Sequence, residues 1–156
     1  MKLESNIIEH EKFIKLLDRS LSQTKGRYDC VVGLKRGGLV PAVYTSHKLN
    51  IPMCVADITA YDSKGDNVTW HDQNIPVLKD CHRILIVDDI LDSGATVAEC
   101  AKQLCVYGII DVAVLVAKTS SIRDYDKNYI NSLVYGVEIS DDSPFIYFPW
   151  ETKPGE

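Results

Sequence analysis

Four apolar residues, Ile84, Leu85, Ile86 and Val87, run straight into two adjacent carboxylates, Asp88 and Asp89. A run that is apolar at every position leaves no wet face. It fits a strand of a parallel sheet covered by helices on both sides. Strand-sized runs of similar character occur at residues 28–34, 53–61, 112–117 and 133–138. Between them the spacing turns helical. Ile7, Ile8, Phe13, Ile14, Leu16, Leu17 and Leu21 recur on one face, as do Val97, Ala101, Leu104 and Cys105. Strands alternating with helices predict an α/β chain on a Rossmann-like parallel sheet with flanking helices. The 156 residues suit one domain, 1–156, with no internal repeat or low-complexity linker.

Local punctuation supports this order. Asn6 and Glu9 fit a capping box for the first helix and Gly26 its stop. Pro41 suits the opening turn of a second helix, which Ile51-Pro52 would end. A third helix is expected over 94–107, with Gly108 as its stop. Residues 62–80 carry no strong periodicity and predict a flap over about 60–80.

Composition excludes several functions. The net charge of −5 leaves no general electrostatic footprint for nucleic acid or a membrane surface. No run approaches the ~18 apolar residues of a membrane-spanning helix. The first residues lack the apolar core of a signal peptide, so a cytoplasmic location is expected. The five cysteines (Cys30, Cys54, Cys81, Cys100 and Cys105) are odd in number and form no Cys-x-x-Cys pair, which argues against a disulfide scaffold or zinc ribbon. Cys30 and Cys54 fall within strand-like runs, where a reduced thiol packs as a small hydrophobe.

In parallel sheets ligands sit beyond the carboxyl ends of the strands. The loops after 28–34, 84–88 and 112–117 are therefore the places to look. After Asp88 and Asp89 come Ile90 and Leu91, then Asp92-Ser93-Gly94-Ala95-Thr96 leading into a helix. Small residues and hydroxyls at a helix N-terminus make an anion cradle. Paired acids do the opposite: they offer acceptor oxygens to ribose hydroxyls or a divalent cation. One loop thus presents acceptors to a sugar and donors to its phosphate. An acidic turn with a helix cap would explain Asp92 or Ser93, but not two acids at the end of a buried strand.

This segment resembles the phosphoribosyl pyrophosphate (PRPP) motif of the type I phosphoribosyltransferases: apolar residues, two acids, two apolar residues, then Asp-Thr/Ser-Gly-x-Thr. Ser93 takes the Thr/Ser position. Val31-Val32-Gly33-Leu34-Lys35-Arg36-Gly37-Gly38-Leu39-Val40-Pro41-Ala42 is similar to the pyrophosphate loop of the bacterial xanthine-guanine (6-oxopurine) members, where Arg-Gly-Gly-Leu-Val-Pro also occurs. The resemblance implies that Arg36 and Gly37 contact pyrophosphate and that Lys35 adds charge. It implies Asp88 and Asp89 on the ribose hydroxyls, Asp89 also near Mg²⁺, and residues Ser93, Gly94, Ala95 and Thr96 on the 5′-phosphate. Asp92 would accept or hydrogen-bond the proton on purine N7 as the catalytic base.

Two further positions extend the likeness. Lys118 directly follows the run 112–117, and an ammonium, which only donates, can bind a purine 6-oxo group but not a 6-amino group. The segment of about 139–156 resembles the base-binding end of the xanthine-guanine members. There Phe145 would stack on the base, the backbone of Ile146 would face its edge, and Trp150 would pack beneath. Family members often carry Ser-Tyr at the flap; here it is Ala60-Tyr61, so that contact is lost or made by Thr59. The expected reaction joins N9 of guanine, xanthine or hypoxanthine to C1 of PRPP, releasing pyrophosphate and a nucleoside monophosphate, in a homo-dimer or tetramer. Two alternatives stay open: a PRPP-sensing regulator of the same fold, and transfer to another base such as adenine or uracil.

Overall fold

The fold is that of a computed structural model, and the residues described are 3, 5–58 and 78–152. The elements are α1 (His10–Leu21), β1 (Cys30–Leu34), α2 (Leu39–Leu49), β2 (Met53–Ala56), β3 (Arg83–Leu91), α3 (Ala95–Leu104), β4 (Ile109–Lys118), α4 (Thr119–Asp124) and β5 (Ser132–Ile139). All five strands run parallel in the order β2-β1-β3-β4-β5. The chain leaves β1 to one side for β2, then crosses back to β3 on the other. The strand order therefore reverses between β1 and β3, and a crevice opens beyond their carboxyl ends.

The apolar runs are buried because both faces of the sheet are covered. Cys30, Val32, Ile84, Ile86, Val112 and Val114 point to one face and pack with Val97, Ala101 and Leu104 of α3. Val31, Leu85, Val87, Ala113 and Leu115 point to the other, against Phe13, Leu16 and Leu17 of α1 and Ala42 of α2. Each fully buried Leu or Ile contributes roughly 1.5–3 kcal/mol. Cys30, Cys54, Cys81 and Cys100 are buried thiols outside any disulfide, and Cys105 is an exposed one.

Several boundaries differ from the sequence reading. Asn6 does not cap α1: Glu9 holds that position, in extended backbone and without a side-chain cap. The residues before it pair instead with the C-terminal segment. Ile8 N donates to Tyr147 O at 2.8 Å, Tyr147 N to Asn6 O at 2.8 Å, and Asn6 Nδ2 to Phe145 O at 3.0 Å. A tertiary pairing has displaced a local cap. α1 ends at Leu21, ahead of Gly26, and α2 ends through left-handed Asn50 (φ 52°) just before Ile51. β2 stops at Ala56. Thr59, Ala60, Tyr61 and most of the expected flap lie outside the described residues.

Asp88 and Asp89 do not mark the end of β3. The strand continues to Leu91, with Asp88 opposite Val114, Ile90 opposite Val116 and Leu91 opposite Ala117 of β4. The long apolar run of β4 supplies ladder partners past the point where β3 turns polar.

Candidate active site

The site gathers at the carboxyl ends of the strands. After β1 the chain turns through Lys35, Arg36, Gly37 and Gly38 into α2; the Lys35–Arg36 peptide is cis. Gly38 N donates to Leu34 O at 2.9 Å, closing the turn, and Ala42 N donates to Gly38 O at 2.9 Å, starting the helix. Gly37 lies against Asp89: a Cβ on Gly37 would stand 2.0 Å from Asp89 Oδ2. The loop after β1 and the acids of β3 therefore form one surface. Lys35 Nζ is 2.8 Å from Asp57 Oδ2, so its charge is already matched and it anchors the loop to the residue after β2. Arg36 is exposed and takes part in no ion pair among the described residues, which leaves it as the loop's open cation.

Each of the two acids accepts from the backbone amide that follows it. Asp89 N donates to Asp88 Oδ1 at 2.9 Å, and Ile90 N donates to Asp89 Oδ1 at 2.7 Å. Burial pushes the Asp89 carboxyl up to about 6, with the negative charge of Glu151 adding to it and the Ile90 amide opposing. Burial, then the charge of Asp89, raises Asp88 well above the ordinary carboxylate range. Two desolvated carboxylates side by side are poised for a cationic or hydroxyl-rich ligand that would relieve them.

Past β3, Asp88, Asp92, Ser93, Gly94 and Thr96 line a cavity of about 80 Å³. Gly94, with φ 77°, makes the left-handed turn that opens α3, a conformation L side chains rarely adopt. Ala98 N donates to Gly94 O at 2.9 Å, so the amides of Ala95, Thr96 and Val97 precede the first helical bond. Ser93 Oγ accepts from Ala95 N at 3.3 Å. Small side chains, the helix-start amides of Thr96 and Val97, which have no intrahelical partner, and the helix N-terminus together suit a phosphate-sized anion.

Beside this cradle lies a second cavity of about 250 Å³. Its lining includes Asp89, Asp92, Lys118, Phe145, Ile146 and Glu151. Lys118, the last residue of β4, reaches across to Asp92, with Nζ 2.5 Å from Oδ1. Phe145 is 65% exposed, so one aromatic ring is presented at the rim and held edge-on to Tyr147 at 4.9 Å. Ile146 is buried and lines the same cavity. Trp150 packs beneath, stacked on Phe148 at 5.2 Å and edge-on to Phe13 at 5.2 Å.

Residues 4–153 match the phosphoribosyl transferase domain family. The chain belongs to the phosphoribosyltransferases. A xanthine-guanine phosphoribosyltransferase from Cereibacter sphaeroides is 35% identical over 135 residues, covering 81% of this chain and 71% of that protein. Among solved structures, the purine phosphoribosyltransferase of Pyrococcus horikoshii superposes with a TM-score of 0.70 at 27% identity, covering 95% of this chain and 94% of that one. A Neisseria gonorrhoeae protein with bound ppGpp gives 0.69 at 26% identity, covering 90% and 84%.

The sequence reading of this phosphoribosyltransferase missed Glu151. It lines the larger cavity with Asp89, and its Oε2 accepts from Phe148 N at 2.9 Å. Its only signal was an acid after Pro149-Trp150, far along the chain from the acid pair. Ser121 was missed too: its hydroxyl donates to the Asp92 carbonyl. Among the described residues no helix is long and apolar enough to cross a membrane.

Proposed function

We propose that this phosphoribosyltransferase transfers the 5-phosphoribosyl group of PRPP to N9 of a 6-oxopurine (guanine, xanthine or hypoxanthine), releasing pyrophosphate. The observation that carries the reading is the Lys118–Asp92 pair on the wall of the 250 Å³ cavity, beside the phosphate cradle. A cation that donates to O6 and a carboxylate that accepts from N7–H match the adjacent O6/N7 edge of such a base. A 6-amino group would face an ammonium with no acceptor. The names of the relatives point the same way: xanthine-guanine in one case, purine in another.

The remaining residues divide the donor among them. Amides from Ser93 to Thr96 hold the 5′-phosphate and so fix the sugar. Asp88 and Asp89 accept from the ribose hydroxyls. Arg36 and the backbone at Gly37 face the departing pyrophosphate and stabilise the charge it gains. Phe145 stacks on the base, and the backbone of Ile146 meets its edge. Asp92, released from Lys118 as the base enters, takes the proton from N7.

A Mg²⁺ ion fits the donor set. Asp88 and Asp89 are desolvated neighbours with raised pKa values, and Glu151 lines the same cavity as Asp89. Among the described residues no group of three or more His, Cys, Asp or Glu side chains converges as a metal cage. Asp89 would therefore share the ion with substrate oxygens. When bound, the ion neutralises charge on the leaving pyrophosphate.

A second reading, nucleotide binding without turnover, is favoured by one likeness, that to the Neisseria protein with bound ppGpp. Two variants test the main reading. Lys118→Ala is expected to raise the purine KM selectively. Asp92→Asn is expected to lower kcat on the order of 100-fold or more while PRPP affinity holds. An unchanged purine KM in the first, or equal losses of turnover and PRPP affinity in the second, would count against it.

A further inference from the structure

Three consecutive hydroxyl residues open α4, and none of them caps it: Lys118 holds the N-cap position with no side-chain cap. Their hydroxyls reach three other segments. Thr119 Oγ1 donates to Glu138 Oε1 at 2.7 Å, with Ile139 O at 3.1 Å, at the end of β5. Ser120 donates to Asp141 Oδ1 from both its amide (3.1 Å) and its hydroxyl (2.7 Å), which ties down the segment leading to Phe145 and Ile146. Ser121, buried at 5% exposure, donates to the Asp92 carbonyl in the loop after β3. Lys118, immediately before them, holds the Asp92 carboxylate.

We infer that Ser120 and Ser121 are positioning residues: through them α4 holds the phosphate loop and the base-binding segment in register around Lys118. This rests on the roles proposed above for Asp92 and Lys118, and it adds the device that aims them. Asp92 is gripped at two points from one junction, its carbonyl by Ser121 and its carboxylate by Lys118. When a base separates the side-chain pair, the carbonyl bond still fixes where the carboxylate swings from. The Asp141 anchor sets the distance from that carboxylate to the stacking ring. Ser, Thr and Asn hydroxyls or amides at helix starts ordinarily satisfy their own helix. Here a helix of six residues leaves its own amides without them, and the hydroxyls are used between segments.

The test combines hydrogen exchange on the ligand-free chain with steady-state kinetics. Ser121→Ala should speed amide exchange at 92–96. It should also lower kcat on the order of tenfold with purine KM nearly unchanged, since a displaced base loses rate rather than binding. Ser121→Thr, which keeps a hydroxyl, should restore both. Asp141→Ala, at an exposed position, should speed exchange at 140–146 and raise purine KM about threefold with kcat held, the loss of an exposed hydrogen-bonded anchor. Unchanged exchange at either segment overturns the inference. If Ser121→Ala does not fold, Asp141→Ala decides alone: unchanged exchange and unchanged purine KM overturn it. If exchange responds as expected but Asp92→Asn keeps full turnover, the base role of Asp92 fails and the register stands.

Discussion

A Cβ added to Gly37 would come within 2.0 Å of Asp89 Oδ2. The loop after β1 and the acid pair of β3 meet at this point, at the reversal of strand order. A methyl group there must push the Asp89 carboxylate off the Ile90 amide that holds it. Gly37→Ala is therefore expected to raise the PRPP KM on the order of tenfold or more, as a misplacement of about 1 Å does. The fold should survive, because the strain falls on a side chain at the crevice. Steady-state kinetics with PRPP varied, alongside a thermal melt, checks this; an unchanged PRPP KM contradicts the contact.

The raised pKa values of the acid pair give a pH dependence of stability. Asp89 titrates near about 6 in the folded chain against an ordinary 3.8. Between those values the folded state binds more protons than the unfolded one, so stability falls as pH rises. The contribution is complete below pH 3.8 and lost as pH climbs through about 6. Other carboxylates slope the opposite way: Asp29 is held down by the His82 and Arg83 amides. The difference between two proteins isolates the effect. In chelator without ligands, Asp89→Asn is expected to melt higher than the parent at pH 7, with the gap closing toward pH 4. A gap that widens as pH falls contradicts the burial account.

At the other end of β4, Asp111 is fully buried and satisfied. Tyr28 OH donates to it at 2.9 Å, Arg83 Nε at 2.8 Å and Asn131 Nδ2 at 2.8 Å. Burial alone would raise its pKa, but the bonds from Asn131 and Arg83 outweigh it and hold the carboxyl below the usual range. Asp111→Ala strands Arg83 beside apolar strands and is expected to cost about 3 kcal/mol. Chemical denaturation reads the loss. The kcat of the folded fraction should not move, because this network lies at the strand starts, away from the crevice.

Phe145 offers a test of the base wall with little risk to folding, since it is 65% exposed. Phe145→Ala should raise purine KM by up to about tenfold, the worth of one aromatic stack. Phe145→Trp, with a larger face, should keep or lower it. Equal purine KM in all three proteins would remove Phe145 from the base site.

The parallel sheet was legible because its inner strands carry uninterrupted apolar runs, 84–87 and 112–117, and the turn that opens α3 because Ser93-Gly94-Ala95-Thr96 is a local pattern. What escaped was set by contacts distant in sequence. Asn6 reads as a cap until Tyr147 takes the neighbouring backbone into a pairing. Asp88 and Asp89 read as a strand end because polarity changes there, yet β4 stays apolar and keeps the ladder going to Leu91. Lys35 reads as a charge on the loop after β1, and its pairing with Asp57 shows only once the β1–β2 ladder brings the two together. Ser121 carries no local signal and Glu151 only the acid after Pro149-Trp150, since the topology is what brings them to Asp92 and Asp89.

The most direct test of the central claim is PRPP- and Mg²⁺-dependent pyrophosphate release with guanine, xanthine, hypoxanthine, adenine and uracil, the nucleotide product being identified in each case. Turnover with the 6-oxopurines and none with adenine or uracil is the predicted result. Turnover with adenine or uracil would contradict the roles given to Lys118 and Asp92. No turnover with any base, while PRPP still binds, would contradict the enzymatic reading and favour a nucleotide-binding regulator.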